Sequence, residues 1–171
     1  MKIIDTTTYF EEDLMMDLRF NILDPFIDKF IVCEARFSHS GKKKEIKFNK
    51  KNFPKFEDKI IHAIIDNEPA NLIIKNNLSN SEIRMNSVLR IQHQRNFISS
   101  GLVKADDNDL IILSDSDEIP DLTKLKQIKS STKFTAFSQM MFMYKLNLQN
   151  LNESNWIGSK LCLKKNLPKP Q

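Results

Sequence analysis

Glycine is scarce in this chain: there are 3, Gly41, Gly101 and Gly158. None has the spacing that lets backbone N–H groups close around a phosphate, so neither a P-loop nor a dinucleotide-binding glycine fingerprint is present. Cysteine is scarcer, with Cys33 and Cys162 alone. Two thiols make no disulfide framework, and neither stands at zinc-like spacing from His39, His62 or His93. No apolar run is long enough for a secretory signal or a membrane span, and the opening residues MKIIDTTTYFEEDL hold no long apolar stretch. The expectation is a cytoplasmic chain with no membrane span. A strong charge excess is missing too. The net charge is +4 and the lysines are scattered, the densest run being Lys42-Lys43-Lys44. That balance suits an anionic ligand but not a nucleic-acid partner.

The chain has 171 residues, 40% of them apolar and 28% charged, which suits one globular domain with a sizeable core. We expect that domain over residues 1–165 and an irregular tail over 166–171. Strand-like and helix-like segments alternate, and this pattern predicts an α/β layer structure. Lys2–Ile4 reads as a short first strand. Thr8 and Glu11 have capping-box spacing, ahead of a helix with Leu14, Leu18 and Ile22 on one face and Pro25 as its stop. Phe30–Cys33 is a buried strand ending at Glu34. Glu45–Phe48 reads as an outer strand and Lys59–Ile65 as a further one. Ser79 and Glu82 form a second capping box, opening a helix that ends near Gly101. Leu110–Leu113 has the unbroken apolar pattern of a strand buried on both faces. Leu122, Leu125 and Ile128 point inward from a short helix after Pro120. Phe134–Tyr144 and Trp156–Leu163 read as the last strands.

The most informative segment is Ser114-Asp115-Ser116-Asp117-Glu118, which follows the most apolar strand. Ligands of open α/β sheets bind beyond the carboxyl ends of strands. Asp115 and Asp117, one residue apart, could both reach one hard cation, and Mn²⁺ or Mg²⁺ would leave positions open for phosphate oxygens. Mutual repulsion of the two carboxylates also calls for a counter-charge. Helix capping ahead of Pro120 explains the same residues equally well. With no glycine cradle, a bound diphosphate would need a metal to carry much of its charge.

Two other residues are singled out. Arg95 falls on the apolar stripe Val88, Ile91, Ile98 and Leu102. A buried guanidinium there needs a carboxylate or phosphate partner, whereas one at the stripe's edge would snorkel to water. Glu34 ends a buried strand, where it could meet the base or ribose of a nucleotide or form a salt bridge with a nearby lysine or arginine.

Several segments, in order, resemble glycosyltransferase family 17. They are Phe30 to Gly41 (FIVCEARFSHSG), Phe56 to His62 (FEDKIIH), His93 to Asn96 (HQRN), Asp109 to Pro120 (DLIILSDSDEIP) and Trp156 to Lys160 (WIGSK). The resemblance implies a GT-A-like nucleotide-sugar-binding fold, with a central mostly parallel mixed sheet flanked by helices. It implies transfer of N-acetylglucosamine from UDP-GlcNAc to a glycan or glycoprotein acceptor by an inverting displacement. Asp115 and Asp117 would hold the metal and diphosphate, with Glu34 and Arg95 beside the nucleotide. A carboxylate would deprotonate the acceptor hydroxyl. Family members continue past the last of these segments, so the base is expected there, with Glu118 a weak candidate within this chain. The other readings are a nucleotide-sugar-binding domain without turnover and an Asp-x-Asp phosphohydrolase.

Overall fold

β-Branched and apolar residues crowd the segments IIDTTTY, KFIVCEA, IIHAII and LIILS, and each of these segments is a strand. The computed structural model describes residues 1–127, 132–144, 147–152 and 155–168. Its strands are β1 (Ile3–Tyr9), β2 (Lys29–Ala35), β3 (Ile60–Ile65), β4 (Leu110–Ser114), β5 (Phe134–Met140) and β6 (Asn155–Leu163). They form one sheet in the order β3-β2-β1-β4-β6-β5. The pairs β1–β2, β1–β4 and β2–β3 are parallel, and β6 runs antiparallel to both β4 and β5. This is the expected α/β architecture with a mostly parallel sheet.

Two helices, α1 (Asp13–Leu23) and α2 (Asn80–Gly101), cover opposite faces. Side chains alternate across β2 with the strand period of two. Phe30 and Val32 pack with Met16, Phe20 and Leu23 of α1, whereas Ile31 and Cys33 pack with Ile98 of α2 and with Leu102. On β4, Ile112 joins the first core and Ile111 the second. The carboxyl ends of β1 and β4 are neighbours at the sheet's centre, and the chain goes on from β1 to β2 on one side and from β4 to β5 and β6 on the other. That junction is the topological switch point where open α/β sheets bind ligands.

The structure corrects four expectations. Thr8 and Glu11 do not cap a helix: Thr8 pairs with Cys33 inside β1, and α1 starts at Asp13 without a side-chain cap. The β-branched run Thr6–Thr8 extends the strand instead. The buried face of α1 is Met16, Arg19, Phe20 and Leu23, while Leu14 is 82% exposed and Ile22 lies half out. Burial of Arg19 shifts the stripe away from Leu14 and Ile22. Glu45–Phe48 is not a strand, because the N–H groups of Lys47 and Phe48 donate to the Glu34 carboxylate rather than to a neighbouring chain. On α2 the buried residues are Asn86, Gln94 and Ile98, and Arg95 is exposed. Asn86 bonds both main-chain groups of Ile73, and Gln94 donates to the Cys33 carbonyl. These satisfied amides occupy the face that the aliphatic spacing had assigned to Val88 and Ile91.

Other readings hold. Ser79 and Glu82 form the capping box of α2. Pro25 follows the end of α1. The segment after Pro120 is a 3₁₀ turn, Leu122–Gln127, with Leu122 and Leu125 in the α1-side core. Ile128 lies outside the described residues. Within the expected tail, Leu167 packs against the α2-side core.

Candidate active site

β4 delivers the chain to Ser114 at the switch point, and the acidic turn follows at once. Its backbone is held from below. Arg19 of α1 is fully buried, and its Nη1 donates to the carbonyls of Glu118 at 2.7 Å and Asp115 at 3.2 Å. The rest of the guanidinium grips Asp5 of β1, with Nε to Oδ2 at 2.8 Å and Nη2 to Oδ1 at 2.5 Å. The turn closes on itself through Glu118 N–H to the Asp115 carbonyl at 3.1 Å and Asp115 N–H to Glu118 Oε2 at 3.2 Å. β6 holds it from the side. Ser159 Oγ donates to the Glu118 carbonyl at 3.0 Å and accepts from Ser114 Oγ at 2.7 Å. The Trp156 indole N–H donates to Glu118 Oε1 at 2.7 Å.

The two aspartates of the turn differ. Both Asp115 oxygens accept from Arg95 Nη2 at 2.8 Å, in a pair whose side chains are 56% (Arg95) and 44% (Asp115) exposed. Asp117 is exposed and has no side-chain partner among the described residues. Arg95 is thus the brace that one reading foresaw, acting from the surface rather than from a buried stripe. It also supplies part of the counter-charge that the repulsion argument had assigned to a cation.

Two clefts meet at the turn. One, of about 430 Å³, is lined by Arg95, Asp115, Glu118, Trp156 and Lys160. The other, of about 500 Å³, is lined by Asp115, Asp117, Glu118, Phe142, Tyr144 and Trp156. Among the described residues no three His, Cys, Asp or Glu side chains converge to hold a metal. The donor set still fits Mg²⁺ or Mn²⁺, because such ions are commonly held by one or two carboxylates and completed by substrate phosphates. Asp117 offers an open oxygen for that arrangement, and Asp115 would offer a second if Arg95 moved away.

Glu34 is elsewhere engaged. It is fully buried, and Oε1 accepts from Lys44 Nζ at 2.5 Å and Lys47 N–H at 2.9 Å. Oε2 accepts from Phe48 N–H at 3.0 Å and lies 3.4 Å from His62 Nε2. Burial raises its pKa, but His62, Lys44 and the two backbone N–H groups outweigh burial and bring it down to about 2. Its carboxylate faces the Lys44–Phe48 segment rather than the clefts at the turn. Beside it, burial first and then the Glu34 charge push the Cys33 thiol up to about 12, which makes Cys33 an inert core residue. The helix polar groups are also satisfied: His93 Nε2 lies 3.1 Å from the Asn67 carbonyl and His39 Nε2 3.1 Å from Gln94 Oε1.

Arg19, Ser159 and Trp156 are the site residues that sequence reasoning missed. Arg19 carried a readable signal, because it breaks the apolar stripe Met16, Phe20, Leu23 just as Arg95 seemed to break its own. Gly158 adds a packing requirement. A Cβ there would lie 2.0 Å from Gln139 Oε1, the atom that accepts the Ser159 N–H at 2.8 Å. Gly158→Ala is therefore expected to cost about 1–3 kcal/mol through overpacking and that lost bond. A chemical denaturation midpoint equal to that of the parent would refute this.

A family model, glycosyltransferase family 17, matches residues 1–165. The class is therefore that of a glycosyltransferase, and the chain belongs to glycosyltransferase family 17. Among solved structures, the 2-C-methyl-D-erythritol 4-phosphate cytidylyltransferase of Francisella tularensis aligns at 13% identity, covering 96% of this chain and 74% of that one, with a TM-score of 0.47. No curated protein matches the chain. Among the described residues, no helix is long and apolar enough to cross a membrane.

Proposed function

We propose that this chain binds a UDP-sugar, UDP-GlcNAc, at the Asp115–Asp117 turn and transfers the sugar to a hydroxyl of a glycan or glycoprotein acceptor. The observation that carries this reading is the state of Asp117: an exposed carboxylate without a side-chain partner among the described residues, on a turn whose backbone is pinned at the switch point. Membership of a glycosyltransferase family supports the class of reaction.

In the reaction, the acceptor oxygen bonds to the anomeric carbon as the bond from that carbon to the diphosphate breaks. The configuration inverts, the acceptor proton passes to a base and UDP leaves. Mn²⁺ or Mg²⁺ held at Asp117 would neutralise charge on the departing diphosphate. Arg95 lies against Asp115, and its Nε and Nη1 have no protein partner among the described residues, so they are free to meet phosphate oxygens. Both Glu118 oxygens already accept hydrogen bonds, from Trp156 and from the Asp115 N–H. We therefore assign Glu118 to holding the turn and Trp156 rather than to taking the proton. Glu34 acts at a distance, by fixing the Lys44–Phe48 segment.

The test is thermal unfolding with nucleotide sugars, with and without Mn²⁺. At about 100 times its dissociation constant a ligand adds roughly 2.7 kcal/mol, which raises the Tm of a domain this size by about 5–10 °C. The shift should require Mn²⁺ and be largest for UDP-GlcNAc. An equal shift in the presence of a chelator would remove the metal from the reading. No shift with any UDP-sugar would overturn it.

A further inference from the structure

A buried arginine in a short helix requires explanation. Taking a guanidinium and a carboxylate out of water costs about as much as the pair returns, and apolar residues of similar size often serve stability as well or better. Arg19 and Asp5 are respectively 0% and 1% exposed. What the guanidinium does that an apolar side chain could not is reach two carbonyls, Asp115 and Glu118, through one nitrogen. Those carbonyls bracket Ser116 and Asp117. The other side of the same planar group is locked onto Asp5, whose strand β1 pairs with β4 directly below the turn.

We propose that Arg19 is the positioning residue of the acidic turn. Through a rigid fork anchored on Asp5, it fixes where the Asp115 and Asp117 carboxylates stand toward the metal-bound diphosphate, without touching the ligand. This rests on the proposed donor site. A lysine cannot replace it, because an ammonium lacks the planar fork that spans Asp5 and the two carbonyls.

The chain's sole tryptophan, Trp156, bonds to Glu118 within this turn and so reports its geometry. Arg19→Lys is expected to keep the far-ultraviolet circular dichroism of the parent, to shift Trp156 emission to the red and to weaken UDP binding in Mn²⁺ about 10- to 100-fold. Leu23→Ala, a cavity variant on the same helix, controls for lost stability and should leave emission and affinity unchanged. A folded Arg19→Lys protein with parental emission and affinity would overturn the proposal. Amide hydrogen exchange in the parent protein decides the case if that variant does not fold. The Glu118 N–H, bonded to the Asp115 carbonyl, should be protected like the amides of β4, and exchange at a free-loop rate would overturn the proposal. If the parent binds no UDP in Mn²⁺, the donor-site reading fails by itself, and emission and exchange still report on Arg19.

Discussion

Asp117→Asn is expected to weaken UDP-sugar binding in Mn²⁺ by about 100-fold, close to 3 kcal/mol, and to leave binding without metal unchanged. The substitution keeps the side chain's shape and removes its charge, which is the property a hard cation requires. Asp117 is exposed and unpaired among the described residues, so its loss should move stability by no more than about 0.5 kcal/mol. A fall in affinity then reports the site and not the fold. Asp115→Asn should behave differently, because it also releases Arg95 from its carboxylate partner. Part of the lost metal affinity would be offset by a guanidinium freed for phosphate, and the expected net loss is about 10-fold. Titration calorimetry of both variants with and without Mn²⁺ measures these differences. Equal affinity of Asp117→Asn and the parent in Mn²⁺ would rule out Asp117 as the metal ligand.

The second large effect is one of stability. Three donors bond the Glu34 carboxylate, from Lys44, Lys47 and Phe48, and His62 Nε2 lies 3.4 Å from it. Glu34→Gln replaces one acceptor with an amide that is itself a donor, and leaves the Lys44 ammonium without its counter-charge. Breaking a buried pair in this way costs about 3–5 kcal/mol, a fall in Tm of about 10 °C. The same residue sets an acid limit. Unfolded, the carboxyl titrates near its ordinary 4.5, and folded it titrates at about 2. The folded form therefore holds fewer protons between those values. The resulting stabilisation, about 3 kcal/mol, is complete above pH 4.5 and is lost as the pH falls toward 2. Urea melts from pH 7 to pH 2.5 should show the parent converging on Glu34→Gln as acid is added. Parallel curves would contradict the role given to Glu34.

The sheet was legible in the sequence because its strands are short, apolar and β-branched, and burial on both faces leaves no other reading for segments such as Leu110–Leu113. The acidic turn was legible because it follows such a strand. What escaped notice is what long-range pairing decides. The stripe of α1 was misassigned because Arg19 looks like a surface residue until Asp5, on another element, makes its burial tolerable. Glu45–Phe48 looked like a strand because local alternation does not reveal that the N–H groups of Lys47 and Phe48 go to a carboxylate 13 and 14 residues earlier. Arg95 had two readings, a buried guanidinium paired with a carboxylate and one snorkelling to water at the stripe's edge; the structure combines the pairing of the first with the exposure of the second.

The placement of β6 has a consequence for how the site comes into being. β1 to β4 can assemble as successive parallel units while the chain is still emerging, since each needs only segments already made. β6 must then enter between β4 and β5, and it brings Trp156 and Ser159, the lateral holds on the acidic turn. A partly synthesised chain would have its sheet nearly built and its acidic turn held from below alone. Binding at the proposed donor site would thus begin only as residues 156–163 dock, a late event in folding.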